Sequence, residues 1–418
     1  MKIGGILYVS LAVSLAVDIL ASASHEPRDD RKLPNYHRVL VFGGNAFIGA
    51  ETVVALVSKG YQVTIVNRGN WYWDSETRIK PHVSHVVCDR SLDLLKCDDF
   101  RGLLGIVEKF DAVVDFSGYQ GYQVENAARV LRGRAGLYIY ISTDSVYEVC
   151  KAKNHAGRTK ETDAVRPKAK TRQAELNELD HYGHEKLRGE EMLLKQRGQP
   201  DGIPYVFLRL PDVIGPRDRT NRWWFYQLWV HLSSTLATPI YVPMKLSNVP
   251  LSLVHVEDVA KVVLELIRSG EKVHDQAINI AFDESPTLAQ VVTEIANALK
   301  LPTPLFDIAD LGNRFYLYPT VKRGAIDTSK AKSLLSWRPA PWKERVERDV
   351  EFYEETMKTN TQQREIFFLF ERFTAALVPE SKQKVFVDKV INLYGPEIEQ
   401  LIPKYREDHD RSSAKNEL

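Results

Sequence analysis

Cysteine is scarce in this chain: three in 418 residues, Cys88, Cys97 and Cys150. Three cannot all pair internally, and none has metal-ligand spacing, so neither a disulfide framework nor a bound metal organises the fold. A Cys88–Cys97 disulfide stays open in an oxidising compartment; otherwise Cys88, inside an apolar run, reads as core. Net charge is also nearly absent, with 56 basic residues against 55 acidic ones. Bulk charge therefore offers nothing to a polyanion, and nucleic acid is not an expected partner. Asn-X-Ser/Thr glycosylation acceptors and internal repeats are missing. An uninterrupted membrane-spanning run is missing too, because Asp18 breaks the apolar stretch at the N-terminus.

That stretch has another reading. Lys2 supplies a positive start, Ile3 to Val17 is apolar, and Ala21-Ser22-Ala23 offers a small-residue cleavage site. Residues 1–24 read as a secretory signal peptide. The chain ends Lys415-Asn416-Glu417-Leu418, one position away from the endoplasmic-reticulum retrieval tetrapeptide. The two ends together predict a protein of the endoplasmic-reticulum lumen, with no membrane association after cleavage. About 400 residues then remain, enough for a large core and two lobes.

Residues 25–37 form a polar lead-in. Beyond it, short apolar runs alternate with amphipathic stretches. Strands are expected at Val39–Phe42, Gln62–Val66, His85–Cys88, Ala112–Phe116, Leu137–Ile141 and Tyr205–Leu210, with helices between. Alternation of this kind predicts an α/β fold, a doubly wound parallel sheet, with a smaller C-terminal substrate-binding lobe. Residues 151–178 are polar and read as a surface loop insertion. Residues 217–250 carry Trp223, Trp224, Phe225, Tyr226 and Trp229, either a core helix or one wall of a substrate site. Leu288–Leu299 and Ser329–Leu335 read as helices of the lobe, which is drawn mainly from 217–250 and 283–345. In the extension 361–418, Ile366, Phe367, Leu369 and Phe370 make one apolar stripe. Phe386, Val390 and Leu393 make another, suited to packing on the lobe or to a homodimer contact.

Motifs mark the ends of the expected strands. Gly43-Gly44-Asn45-Ala46-Phe47-Ile48-Gly49 follows the first. Gly43 permits a tight turn, a small residue at Ala46 lets the backbone approach a pyrophosphate, and Gly49 lets the next helix pack on the sheet. The helix N-terminus would stabilise the phosphate charge. Asn67-Arg68-Gly69 closes the second strand, Cys88-Asp89-Arg90 the third, Phe116-Ser117-Gly118 the fourth and Ser142-Thr143-Asp144 the fifth. Tyr182-Gly183-His184-Glu185-Lys186 follows.

In this order the motifs resemble the extended short-chain dehydrogenase/reductases, the NAD-dependent epimerase/dehydratase family. The resemblance runs over about residues 38–357 and includes Leu208–Pro216, Val254–Ala260 and Ser336–Pro339. It implies a Rossmann sheet, a nicotinamide cofactor and a carbohydrate substrate carrying a hydroxyl or ketone. By the same resemblance the cofactor meets Gly43, Asn45, Ala46, Phe47, Ile48, Gly49, Asn67, Arg68, Asp89, Arg90, Ser117, Gly118, Tyr182, Lys186 and Pro211. Alanine replaces the family's glycine at position 46. An acidic residue at the end of the second strand would accept the ribose hydroxyls of NAD. Asn67-Arg68 stands there instead, and Arg68 suits a 2′-phosphate, which favours NADP over NAD.

Spacing alone does not find the catalytic pair, because Tyr-X-X-X-Lys occurs at Tyr147, Tyr182, Tyr241 and Tyr318. Context selects Tyr182, at the start of an expected helix His181–Leu194 that leads into the sixth strand. Tyr182 is the expected acid/base, Lys186 its tuning cation and Thr143 the anchor of the substrate oxygen. Asp144 is a further candidate acid. The dehydratases follow it with glutamate and this chain has Ser145, so redox or epimerisation is expected ahead of dehydration. Asp212 stands where the family carries an asparagine against a substrate diphosphate, which an aspartate would repel. The Asn-Arg-Gly and Asp-Arg motifs also resemble a subgroup containing chloroplast stem-loop-binding proteins, in which catalysis varies. An inactive cofactor-binding scaffold and a hydroxysteroid-type dehydrogenase are the alternatives. The complete Thr143, Tyr182, Lys186 set argues against the first. An apolar lobe without phosphate-binding arginines would favour the second.

Overall fold

The computed structural model describes residues 38–310, 317–318 and 324–403. The expected signal segment, residues 1–24, and the C-terminal tetrapeptide lie outside these. In chain order the strands are β1 (Arg38–Phe42), β2 (Gln62–Asn67), β3 (Ser84–Val87), β4 (Ala112–Asp115), β5 (Tyr138–Thr143), β6 (Tyr205–Leu210), β7 (Asp212–Ile214), β8 (Ile240–Pro243), β9 (Leu253–His255), β10 (Gln276–Asn279) and β11 (Phe306–Ala309). Seven form one sheet in the order β10-β6-β5-β4-β1-β2-β3, and every pairing in it is parallel. β7 pairs with β9, and β8 with β11.

Besides a single turn at Ser75–Arg78, the α-helices among the described residues are α1 (Phe47–Ser58), α2 (Asp98–Ile106), α3 (Gly121–Leu131), α4 (Lys170–Leu179), α5 (His181–Arg197), α6 (Arg222–Leu236), α7 (Val256–Arg268), α8 (Leu288–Ala298), α9 (Ser329–Leu335), α10 (Trp342–Thr359), α11 (Gln363–Leu377) and α12 (Gln383–Tyr394). Strand residues alternate between faces. Val39 and Val41 of β1 join one core with Val53, Leu56, Val259 and Val263, while Leu40 and Phe42 join the other with Val124, Tyr138 and Leu193. Burial on both faces explains why the strands read as unbroken apolar runs. β1 lies between β2 and β4, so the winding reverses there. In such sheets ligands bind at the carboxyl ends of the strands beside that reversal.

The aromatic stretch is core. Trp223, Trp224, Phe225, Tyr226 and Trp229 of α6 are all buried, and they share one cluster with Ile366, Leu369, Phe370, Phe386 and Val390 of α11 and α12. The extension therefore packs on the lobe through these residues; Phe367 is exposed. The expected loop 151–178 is partly wrong, since its end forms α4. That helix is polar all round and buries only Leu176, so it carries no apolar period for the sequence to show. Cys88 and Cys97 are free thiols, and Cys97 Sγ donates to the Val87 carbonyl at 3.4 Å.

Candidate active site

The cofactor side begins where β1 turns into α1. Gly43 has φ +93° and Gly44 φ +79°, a region that side chains with a Cβ rarely enter. Gly44 is the functional glycine the motif reading missed; a Cβ there would lie 2.9 Å from Val41 Cγ1. A Cβ on Gly49 would lie 2.8 Å from the Gly44 nitrogen. Ala46 needs no glycine because its backbone is extended, φ −154° and ψ 146°. It heads α1 without a side-chain cap, and no acidic residue occupies the first turn. The first N–H groups of α1 are thus left to an anion. These features fit a dinucleotide.

Asn67 shapes the next turn, its Oδ1 accepting from Gly69 N at 2.7 Å. Arg68 is exposed. Asp89 Oδ1 accepts from Ser91 N at 2.9 Å; this hydrogen bond, with Arg68 nearby, holds its carboxyl below the usual range. Arg90 is engaged within the protein. It is 8% exposed, pairs with Asp115, and reaches Ser117 Oγ and the Gln123 carbonyl at 3.2 Å each. Tyr138 donates to the other Asp115 oxygen at 2.6 Å. Arg90 and Ser117 therefore brace the floor beneath Gly118.

A segment after β2 crosses from this turn to the lobe. Asn45 Nδ2 donates to the Asn70 carbonyl, and Ser75 Oγ to the Asn45 carbonyl at 2.9 Å. Trp73 packs on Trp224 and Tyr353. Arg217 clamps Asp74 with bonds of 2.8 and 2.6 Å.

The catalytic side lies at the carboxyl end of β5. Asp180 caps α5, accepting from Gly183 N at 2.8 Å, and places Tyr182 and Lys186 on successive turns of one face. Burial of the hydroxyl end pushes the Tyr182 phenol up, and the neighbouring Thr143 opposes the rise; the residue as a whole is 46% exposed. Lys186 is buried and donates to the carbonyls of Ile141 at 2.6 Å and Gly118 at 3.0 Å. Burial pulls its ammonium down to about 7, with Arg90 adding to the fall and Asp115 and Glu190 opposing it. Among the described residues Lys186 donates to these two carbonyls and makes no hydrogen bond to Tyr182. Thr143 Oγ1 lies 3.4 Å from Asp144 Oδ1 and accepts from Ser145 N at 3.2 Å. Burial pushes the Asp144 carboxyl up, and the neighbouring Asp212 and Glu148 add to the rise, so its proton is held more tightly than an ordinary carboxyl's.

Pro211 is buried just past β6, and Asp212 pairs with Arg222. One buried network escaped the sequence reading. Glu190 and Arg209 are 2% and 4% exposed and joined by bonds of 2.9 and 2.7 Å. Ser142 donates to Glu190 at 2.6 Å and Arg209 to Tyr147 at 3.1 Å. The signal was available: Arg209 is a lone charge in the apolar strand Tyr205–Leu210, and Glu190 follows Lys186 by four residues on one helix face.

A glycine-rich strand-to-helix turn at the reversal of a parallel sheet, with a Thr–Tyr–Lys set at the adjoining strand ends, defines a nicotinamide-dinucleotide enzyme of the extended short-chain dehydrogenase/reductase class. A model of the NAD dependent epimerase/dehydratase family matches residues 39–281, and the chain belongs to that family. It is 27% identical over 316 residues to the Arabidopsis thaliana chloroplast stem-loop binding protein of 41 kDa b, covering 72% of this chain and 75% of that one. It is 32% identical over 124 residues to a Pisum sativum bifunctional UDP-glucose 4-epimerase and UDP-xylose 4-epimerase, covering 28% of this chain and only 34% of that protein. Among solved structures, the Thermotoga maritima UDP-glucose 4-epimerase with UDP-glucose has a TM-score of 0.59 at 18% identity, covering 77% of this chain and 99% of its own. The Bacillus cereus UDP-glucuronic acid 4-epimerase with UDP-glucuronic acid and NAD has a TM-score of 0.58 at 18% identity, covering 76% and 99%.

Proposed function

We propose that this enzyme oxidises and reduces, or epimerises, a carbohydrate hydroxyl with NADP as cofactor, in the lumen of the endoplasmic reticulum. The observation that carries this reading is the gathering of Thr143, Tyr182 and the buried Lys186 at the carboxyl end of β5, in the same sheet whose reversal carries the uncapped N-terminus of α1. A bound nicotinamide supplies the hydride acceptor or donor. Gly43, Gly44 and the first N–H groups of α1 would cradle its pyrophosphate, and Lys186, from its seat on the Gly118 and Ile141 carbonyls, would bind the adjoining ribose. Thr143 holds the substrate oxygen. Tyr182 takes the hydroxyl proton as the carbon is oxidised and returns it in the reverse direction. UDP-sugars in the names of the similar proteins support a carbohydrate.

Support for NADP comes from Arg68, an exposed guanidinium at a strand end that lacks an acidic residue. Fluorescence titration is expected to show tighter binding of NADP than of NAD, with the difference narrowed in Arg68→Ala. Equal affinities in the parent protein would remove the assignment. The lumenal location rests on the apolar N-terminus and the Lys415–Leu418 tail. Deleting residues 415–418 is expected to send the protein into the culture medium; unchanged retention in cells would count against retrieval by this tail.

A further inference from the structure

Asp212 and Arg222 stand at the substrate end of the catalytic group. Thr143 of β5 pairs in register with Leu210 of β6, so Asp212, two residues on, emerges at the same edge of the sheet. Its charge acts on Asp144, so the two carboxyl groups share one electrostatic environment beside Thr143 and Tyr182. Burial raises the Asp212 carboxyl, while Arg222 pulls it back. Arg222 is committed in turn. NH1 bonds Asp212 Oδ1, and Nε donates to Thr220 Oγ1 at 3.0 Å.

The other charges nearby are also engaged. Asp218 accepts from the Thr220 hydroxyl at 2.8 and 2.6 Å, and Arg372 donates to the Thr220 carbonyl at 2.6 Å. Arg217 is held by Asp74 and Glu51. Arg219 is exposed and lies 3.6 Å from the Tyr72 ring; like Arg68 it acts on Tyr119, next to Gly118 on the cofactor side. A substrate diphosphate entering beside Asp144 would meet the Asp212 carboxylate and an arginine already neutralised. In a desolvated site both disfavour an anion. Hydroxyl groups meet the opposite situation. Among the described residues Asp212 Oδ2 makes no hydrogen bond, and a carboxylate oxygen accepts from hydroxyls.

From this arrangement we infer that the Asp212–Arg222 pair selects an uncharged polyhydroxyl substrate, a sugar or glycoside without phosphate, and excludes nucleotide-diphosphate sugars. The inference rests on the reading of Thr143 and Tyr182 as the catalytic site. Calorimetric titration of UDP and UDP-glucose onto the cofactor-loaded protein tests it. The parent is expected to show no saturation with either. Asp212→Asn, which removes one unit charge at constant shape, is expected to bind both at least about tenfold more tightly. Saturation of the parent by UDP-glucose at micromolar concentration overturns the inference, and so does an Asp212→Asn variant no better than the parent. NADP titration of the same samples checks that the variant is folded. Should it fail that check, Arg222→Gln takes its place: it keeps the carboxylate and is expected to show no gain in UDP binding, whereas a gain contradicts the proposed repulsion. Turnover of nucleotide sugars and of unphosphorylated sugars is then compared by nicotinamide absorbance, and a nucleotide sugar turned over fastest also overturns it. Failure here with Tyr182→Phe inactive leaves the catalytic reading intact; an active Tyr182→Phe removes that reading itself.

Discussion

Replacing Tyr182 by phenylalanine is expected to cost about 10²–10⁴-fold in turnover, the usual effect of losing a positioned proton-transfer group, while cofactor binding survives. The substitution removes the hydroxyl beside Thr143 and nothing that faces the glycine-rich turn. Tyr147→Phe and Tyr241→Phe are matched controls, because each tyrosine has the same offset to a lysine. Tyr147 serves the Glu190–Arg209 network, its hydroxyl donating to Asn279 Oδ1 at 2.7 Å, so its loss acts on stability first. Steady-state rates by nicotinamide absorbance read the result. Full turnover by Tyr182→Phe together with an inactive control would show that the site is misplaced. Intact cofactor binding without turnover of any sugar or steroid in a broad screen would favour the scaffold reading.

A comparably large effect is expected on stability from Glu190→Gln. It leaves Arg209 buried with its charge unpaired, a loss of about 3–5 kcal/mol for breaking a buried pair. Glu190 also opposes the fall of the Lys186 ammonium, so the variant reaches into the site. Replacing both partners by apolar residues, as in Glu190→Leu with Arg209→Met, is expected to recover most of the loss, because no isolated charge remains. Urea denaturation followed by far-ultraviolet circular dichroism measures the midpoints. A single variant within about 0.5 kcal/mol of the parent, the range of an ordinary surface change, would show that the pair carries no such weight.

The fold was legible because local signals agreed. Apolar runs, glycine punctuation and the order of strand-end motifs all demanded a parallel sheet, and Tyr182 could be chosen among four equal spacings by its place after β5. What escaped the sequence depends on partners far apart in the chain. Arg90 reads as an isolated charge until Asp115, 25 residues on, is folded against it. Asp212 reads as a bare charge until Arg222 is folded against it. Gly44 was passed over because a motif records residue types and not φ angles. α4 was missed because a helix with one buried side chain has no periodicity to detect.

The crowding of indoles in the lobe also has an optical consequence. Of the seven tryptophans, none lies on a strand of the main sheet. Trp223, Trp224 and Trp229 are buried on α6, Trp342 begins α10, and Trp73 lies against Trp224. Five of the seven indoles therefore gauge the packing of the lobe and of the segment that crosses to it, while Trp71, set against His85 of β3, and Trp337 report on the core of the main sheet. A treatment that loosened the lobe alone would shift the emission and spare the dichroism of the sheet. The two signals together time the order in which the halves of the molecule come apart.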